Sequence, residues 1–152
     1  MDNSEALLEV RGLYKIFGRN PQEAVDRLGA GEPRSALDHQ VTAAVVDANF
    51  DVYKGEIFVV MGLSGSGKST LIRTLNGLLE PSAGTVRIGD EQLTGISERK
   101  LRAIRERKVS MVFQHFGLLP HRNVLDNVAY GLEIQGVPKA KRQAHAQQVI
   151  EM

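Results

Sequence analysis

The chain has 152 residues and a formal charge of +1, long enough for one domain with a real core. Its apolar fraction of 42% and charged fraction of 24% are those of a soluble globular protein, and the near-neutral balance argues neither for nor against nucleic acid. With no cysteine, a disulfide framework and a thiolate metal site are excluded, and apolar runs of about five or six residues are far too short to span a membrane.

At the N-terminus, Met1-Asp2-Asn3-Ser4-Glu5 is acidic and lacks the apolar core of a signal peptide. Membrane association is therefore expected only through a partner. From Leu7 to Leu13 apolar and charged positions mix as in a strand, and Gly18 ends the run Tyr14-Lys15-Ile16-Phe17. Either aromatic can be a core or edge residue, or a face on which a base stacks; periodicity does not choose. Residues 19–40 are polar and punctuated by glycine and proline. Pro21 opens a short helix that Gly29 and Gly31 end, residues 33–39 add a turn, and the whole reads as a surface insertion between two strands.

Residues 42–53 alternate as a half-buried antiparallel strand would. Ala43-Ala44-Val45-Val46-Asp47 imitates the apolar run plus aspartate that holds Mg²⁺ in phosphate-loop enzymes, but alternation suits a half-exposed strand better, which makes Asp47 a surface residue. Ile57-Phe58-Val59-Val60-Met61 reads as a strand buried on both faces. Next comes Gly62-Leu63-Ser64-Gly65-Ser66-Gly67-Lys68-Ser69-Thr70, a full match to G-x-x-x-x-G-K-[ST]. A helix follows, with Leu71, Leu75 and Leu78 on one face.

The composition of this loop follows from its task. Backbone N–H groups converge on one anion only if side chains stay away, so glycines recur. The following helix aims its unpaired N–H groups and positive dipole end at the same anion. Lys68 is placed to bridge β- and γ-phosphates, and the Ser69 hydroxyl to ligate Mg²⁺. The set expected around a nucleotide is thus Gly62, Ser64, Gly65, Ser66, Gly67, Lys68, Ser69 and Thr70.

Further on, residues 85–88 form a short strand, and Ser97 caps a helix to Lys108 with Leu101 and Ile104 inward. Six cations on it (Arg99, Lys100, Arg102, Arg105, Arg107, Lys108) against Glu98 and Glu106 leave +4. No aromatic interleaves them, so it is a solvated face and not a nucleic-acid surface. Val109-Ser110-Met111-Val112-Phe113 is a second buried-strand candidate, running into Gln114. A polar amide at the carboxyl end of a central strand sits where open α/β sheets bind ligands. Gln114 either meets Mg²⁺ or a water near the γ-phosphate, or bonds nearby backbone. His115 and His121 have no carboxylate at metal-ligand spacing and read as loop residues. Asn123 caps a helix whose stripe is Val124, Val128 and Leu132; a last helix opens at Pro138 and runs to Met152 without a stop signal.

Taken together, Gly55-Glu56-Ile57 leading into the loop, Leu75-Asn76-Gly77-Leu78 with Pro81-Ser82-Ala83-Gly84, and Met111-Val112-Phe113-Gln114 with Leu119-Pro120-His121 resemble the ATP-binding subunit of an ABC transporter over nearly the whole chain. The resemblance implies an α/β P-loop NTPase fold: a RecA-like core with the antiparallel β strands particular to ABC proteins, here incomplete at the C-terminus. It makes residues 1–152 a partial nucleotide-binding domain with an insertion at 19–40. Phe17 becomes the adenine-stacking aromatic, Gln114 the Q-loop glutamine that senses the γ-phosphate and contacts Mg²⁺, and Lys68 and Gln114 the catalytic contributors. The insertion, and Leu63 where many ABC ATPases have proline, are similar to ATPases of glycine betaine/proline betaine importers. The implied partners are a membrane permease, a second copy of the subunit and, indirectly, a substrate-binding protein, with the subunit peripheral on the cytoplasmic face of the plasma membrane.

The family's LSGGQ-type signature, Walker B aspartate with catalytic glutamate, D-loop and switch histidine do not follow Gln114. The sequence therefore reads as the N-terminal part of a longer subunit, expected on its own to bind ATP weakly at most and not to turn it over. Other readings are a non-catalytic nucleotide-binding fragment or the ATPase of another ABC importer. A GTPase is disfavoured because no N-K-x-D motif occurs.

Overall fold

A computed structural model describes residues 6–114 and 117–152. The chain divides into two compact units, Met1–Ser110 and Met111–Met152. The expectation for His115 lies outside the described residues; His121 is exposed in a turn.

The first unit is built on a four-stranded antiparallel sheet. Strand β1 (Ala6–Phe17) pairs along its length with β2 (Thr42–Tyr53), from Ala6 opposite Tyr53 to Phe17 opposite Thr42. On its other edge β1 pairs with β3 (Ala83–Ile88), and β3 with the short β4 (Glu91–Gln92), giving the order β2-β1-β3-β4. The ladder bulges between Val10 and Leu13, where the Gly12 amide donates to Asn49 Oδ1 at 2.7 Å. A bulge resets side-chain alternation, so Val10 and Leu13, three apart, are both fully buried. Asp47, opposite the next irregularity, between Leu13 and Lys15, is an exposed residue whose carboxylate accepts from Asn49 Nδ2.

Two apolar clusters hold the sheet. Val10, Leu13, Val45, Val86, Leu93 and Ile104 form one, closed by Leu71 and Leu75 of α2 (Lys68–Leu75) and Leu101 of α3 (Glu98–Lys108). The other joins Ile16 to Ala24, Val25 and Leu28 of α1 (Pro21–Gly29), with Leu37 and Val41 against it. A 3-10 turn (Arg34–Ala36) lies between α1 and β2. The Ser97 cap is formed, its Oγ accepting from the Lys100 amide.

Three expectations need correction. Residues 57–61 and 109–113 are not strands: Ile57 is 89% exposed, Met61 85% and Val112 96%. A strand buried on two faces needs a neighbour on each edge to satisfy its N–H and C=O groups, and among the described residues none pairs with either run. Phe58 instead stacks on Phe50, ring centroids 4.7 Å apart and 8° from parallel. Helix α2 ends at Leu75, and Leu78 lies beyond it, exposed.

In the second unit, α4 (Val124–Val128) and α5 (Tyr130–Ile134) follow each other across Ala129, and α6 (Lys139–Ile150) packs on both. Asn123 Oδ1 accepts from the Asp126 amide at 2.8 Å, the predicted cap. The predicted stripe is out of phase, because Val124 and Val128 are exposed while Ala129 and Ala146 are buried. The small alanines, and not the larger valines, are the residues buried here.

Candidate functional site

The loop of residues 62–70 enters α2 from against the start of β2. Gly67, the residue before the helix, has φ +93°, and a methyl group there would collide with the Ala44 carbonyl oxygen. A Cβ on Gly62 would stand 2.7 Å from Ser66 Oγ. Glycine is thus required at position 67 by close approach to main chain as well as by backbone conformation, whereas the hydroxyl beside Gly62 can turn aside. The Ser66 amide donates to Leu63 O at 3.2 Å, closing the turn, and the Leu71 amide donates to Gly67 O at 2.8 Å, starting the helix.

No side chain caps α2. The first N–H groups of a helix have no intrahelical acceptor, so the concave side of the loop presents donors and the positive end of the helix dipole. Lys68 reaches back over the loop, with Nζ donating to the carbonyls of Gly62 at 2.8 Å and Leu63 at 2.6 Å. The helix is stitched internally by Thr74, 1% exposed, whose hydroxyl donates to Thr70 O at 2.8 Å.

A cavity of about 280 Å³ opens on this loop. It is lined by Phe17, Arg34, the first residues of β2 (Thr42, Ala43, Ala44), and Gly65, Ser66, Gly67, Lys68, Ser69 and Thr70. Phe17 is 40% exposed, and Lys15 Nζ stands 5.0 Å from its ring centroid while donating to Glu80 O at 2.7 Å. Two cations and no carboxylate line the cavity. A concave surface of that kind, with backbone donors, an aromatic edge and unopposed positive charge, suits a polyanion bearing an aromatic group.

Gly62 and Ser64 do not line the cavity; Gly62 acts on it through the Lys68 bond, and Ser64 lies in the exposed turn. Gln114 belongs to the second unit and is exposed. Arg34 was not foreseen. It comes from a segment without periodicity, and no local pattern relates it to a loop almost thirty positions later.

Residues 45–152 match the ABC transporter family. The chain belongs to that family. It is 46% identical over 100% of its length to the glycine betaine transport ATP-binding protein OpuAA of Bacillus subtilis. It is 45% identical over 91% of its length to the glycine betaine/proline betaine transport system ATP-binding protein ProV of Salmonella typhimurium. It spans 37% and 35% of those relatives. A dimeric ATP-binding cassette in a post-hydrolysis state bound to ADP and Pi matches 95% of the chain at a TM-score of 0.75 and 24% identity, the chain covering 56% of it. The fold is therefore that of part of an ABC ATPase cassette. No described helix is long and apolar enough to cross a membrane.

Proposed function

We propose that this chain is the nucleotide-binding portion of the energy-coupling subunit of an ABC importer for glycine betaine, proline betaine or related osmoprotectants, and that it holds Mg-ATP at residues 62–70. The observation that carries the nucleotide reading is the single cavity joining Phe17 to Gly65, Ser66, Gly67, Lys68, Ser69 and Thr70. The substrate class is supported by the similarity to OpuAA and ProV along the chain.

In this reading the loop amides and the open end of α2 take the phosphates, while Gly62 and Ser64 shape the turn that keeps the amides convergent. Lys68 exchanges its carbonyl acceptors for phosphate oxygens, and Phe17 stacks on the adenine. The hydroxyl of Ser69 is the group that would hold Mg²⁺. It suits an ion that keeps most of its ligands from water and phosphate. Bound there, Mg²⁺ neutralises charge on the phosphates.

Residues 1–152 then act as part of a nucleotide-binding domain in which 19–40 is inserted after the aromatic of β1. The partners are a membrane permease, a second copy of the subunit and, indirectly, a substrate-binding protein outside the cell, with the subunit peripheral on the cytoplasmic face. Leu118, Leu119 and the helices of residues 123–134 are the surface for the permease; Leu118 is exposed. Hydrolysis by the whole subunit draws on Lys68 and Gln114.

The test is an isotope-labelled titration followed by NMR. ATP should shift the amides of residues 62–70 and the ring signals of Phe17, whereas tripolyphosphate should shift the loop alone. No saturable shift up to millimolar ATP, or shifts centred elsewhere, would remove the reading.

A further inference from the structure

We propose that Arg34, from the segment between α1 and β2, is a second cation on the triphosphate, gripping its oxygens within the cavity that the loop also lines. The inference rests on the nucleotide reading above and adds a contact that the phosphate-loop motif does not contain.

Its placement is the first argument. Arg34 lines the cavity that holds Phe17 and the loop, and also an adjoining cavity of about 200 Å³ with Met61, Ser66, Gly67 and Lys68. It therefore stands where the two spaces meet across Gly67. No carboxylate lines either one, so an anion entering there meets attraction from two cations and repulsion from none.

The second argument is that everything around Arg34 is fixed while its own head group is not. Helix α1 is anchored through Val25 and Leu28 on Ile16, and Leu37 is packed into the same cluster. Arg27 ties the intervening backbone, donating from Nε and Nη2 to Glu32 at 3.0 and 2.8 Å and from Nη2 to Ala36 O at 2.9 Å. The 3-10 turn closes with the Leu37 amide on Arg34 O at 3.2 Å. By contrast, the Arg34 guanidinium makes no hydrogen bond or ion pair among the described residues. A fixed backbone spares the cost of ordering the segment when the arginine engages a ligand, leaving only the side chain itself to be ordered. The planar fork of arginine matches two phosphate oxygens at once, which the Lys68 point charge cannot do.

The experiment titrates the wild-type chain, Arg34→Gln, Arg34→Lys and Lys68→Ala with ATP, tripolyphosphate and adenosine at two salt concentrations, reading Kd and the Arg34 side-chain Nε–H signal by NMR. Tripolyphosphate should shift that signal in the wild type. Arg34→Gln should raise Kd for ATP and tripolyphosphate roughly tenfold, flatten the salt dependence and leave adenosine unchanged, with Arg34→Lys recovering part of the loss. Wild-type affinity in Arg34→Gln, alongside loss in Lys68→Ala, would overturn the inference and leave the nucleotide reading standing. An equal loss for adenosine would overturn it too, as a contact to the base or a structural effect. Failure of the wild type to bind any phosphate ligand would remove both.

Discussion

The Nζ of Lys68 donates to the carbonyl oxygen of Gly62 at 2.8 Å, so the cation of the loop is held by the loop itself. An arriving phosphate must outcompete two carbonyls, Gly62 and Leu63. Against a carbonyl the ammonium meets only a dipole, whereas a phosphate oxygen offers a full opposite charge, so the exchange runs toward the ligand. Lys68→Ala should therefore weaken tripolyphosphate binding by roughly tenfold or more. The ligand-free thermal midpoint should change little, because both bonds are exposed. Calorimetric titration beside a thermal melt checks both halves, and a large melt shift would show that the lysine supports the loop's fold more than its ligand.

Gly65 and Gly67 are both left-handed, at φ +76° and +93°, yet only one is crowded. A methyl group on Gly65 meets nothing within 4 Å, whereas one on Gly67 runs into the Ala44 carbonyl. Gly65→Ala should cost about 1 kcal/mol, the left-handed penalty alone. Gly67→Ala adds a collision with main chain that no rotamer relieves and should cost about 2–4 kcal/mol. Urea midpoints with unchanged slopes would measure the difference. Equal costs would mean that β2 and the loop are free to separate.

What the sequence revealed and what it hid divide along locality. The caps at Ser97 and Asn123 were legible because a cap needs only a side chain and an amide three residues on. The glycine–lysine spacing was legible for the same reason. Strands at 57–61 and 109–113 were misread because a strand exists only with its neighbour, and an apolar run states a wish for burial without naming what buries it. Helical phase failed at Val124 and Val128, since a five-residue helix carries too few positions to fix a face. Arg34 was hidden because the path from Arg19 to Gln40 folds back through packing on Ile16, which no periodicity encodes.

The position of Phe17 separates the two ends of the ligand. Its ring lines the cavity, with the Lys15 ammonium 5.0 Å from its centroid. An aromatic stack is worth about 0.5–1.5 kcal/mol beyond area. Phe17→Ala should weaken ATP about three- to tenfold and leave tripolyphosphate unchanged, while Phe17→Tyr retains wild-type affinity. Competition titrations would show it. A loss shared by tripolyphosphate would place the aromatic in the fold of β1 and not against the base.

Asn127 ties residues 119–123 to α4. Its Oδ1 accepts from the Leu119 amide at 2.8 Å, and its Nδ2 donates to the carbonyls of Leu119, Arg122 and Asn123. Asn127→Ala removes all four bonds and should cost the second unit about 1–3 kcal/mol. Asn127→Asp keeps the acceptor but turns a charge toward three carbonyls, so it should be no better. Hydrogen exchange at the Leu119 amide is the direct readout, expected to quicken in Asn127→Ala, where its acceptor is gone.

An acid response of the second unit is expected from Glu133. That residue lies 2.9 Å from Arg122 and 3.1 Å from Arg142. The Arg122 hydrogen bond first, opposed by partial burial and then aided by the charges of Arg122 and Arg142, holds its carboxyl below the ordinary value of 4.5. A carboxylate lowered in the folded state contributes stability that is complete above its unfolded value and lost as pH falls through the folded one. Between about pH 6 and pH 4.5 the contribution is thus nearly constant, and it fades below that. Glu133→Gln should lower the midpoint of the α4–α6 amides at neutral pH and flatten its decline on the acid side, with salt reducing the gap between the two proteins. Residue-resolved exchange from about pH 6 to well below about pH 4.5 checks the slope. An unchanged acid limb in Glu133→Gln would mean that the two arginines are held by solvent and not by this carboxylate.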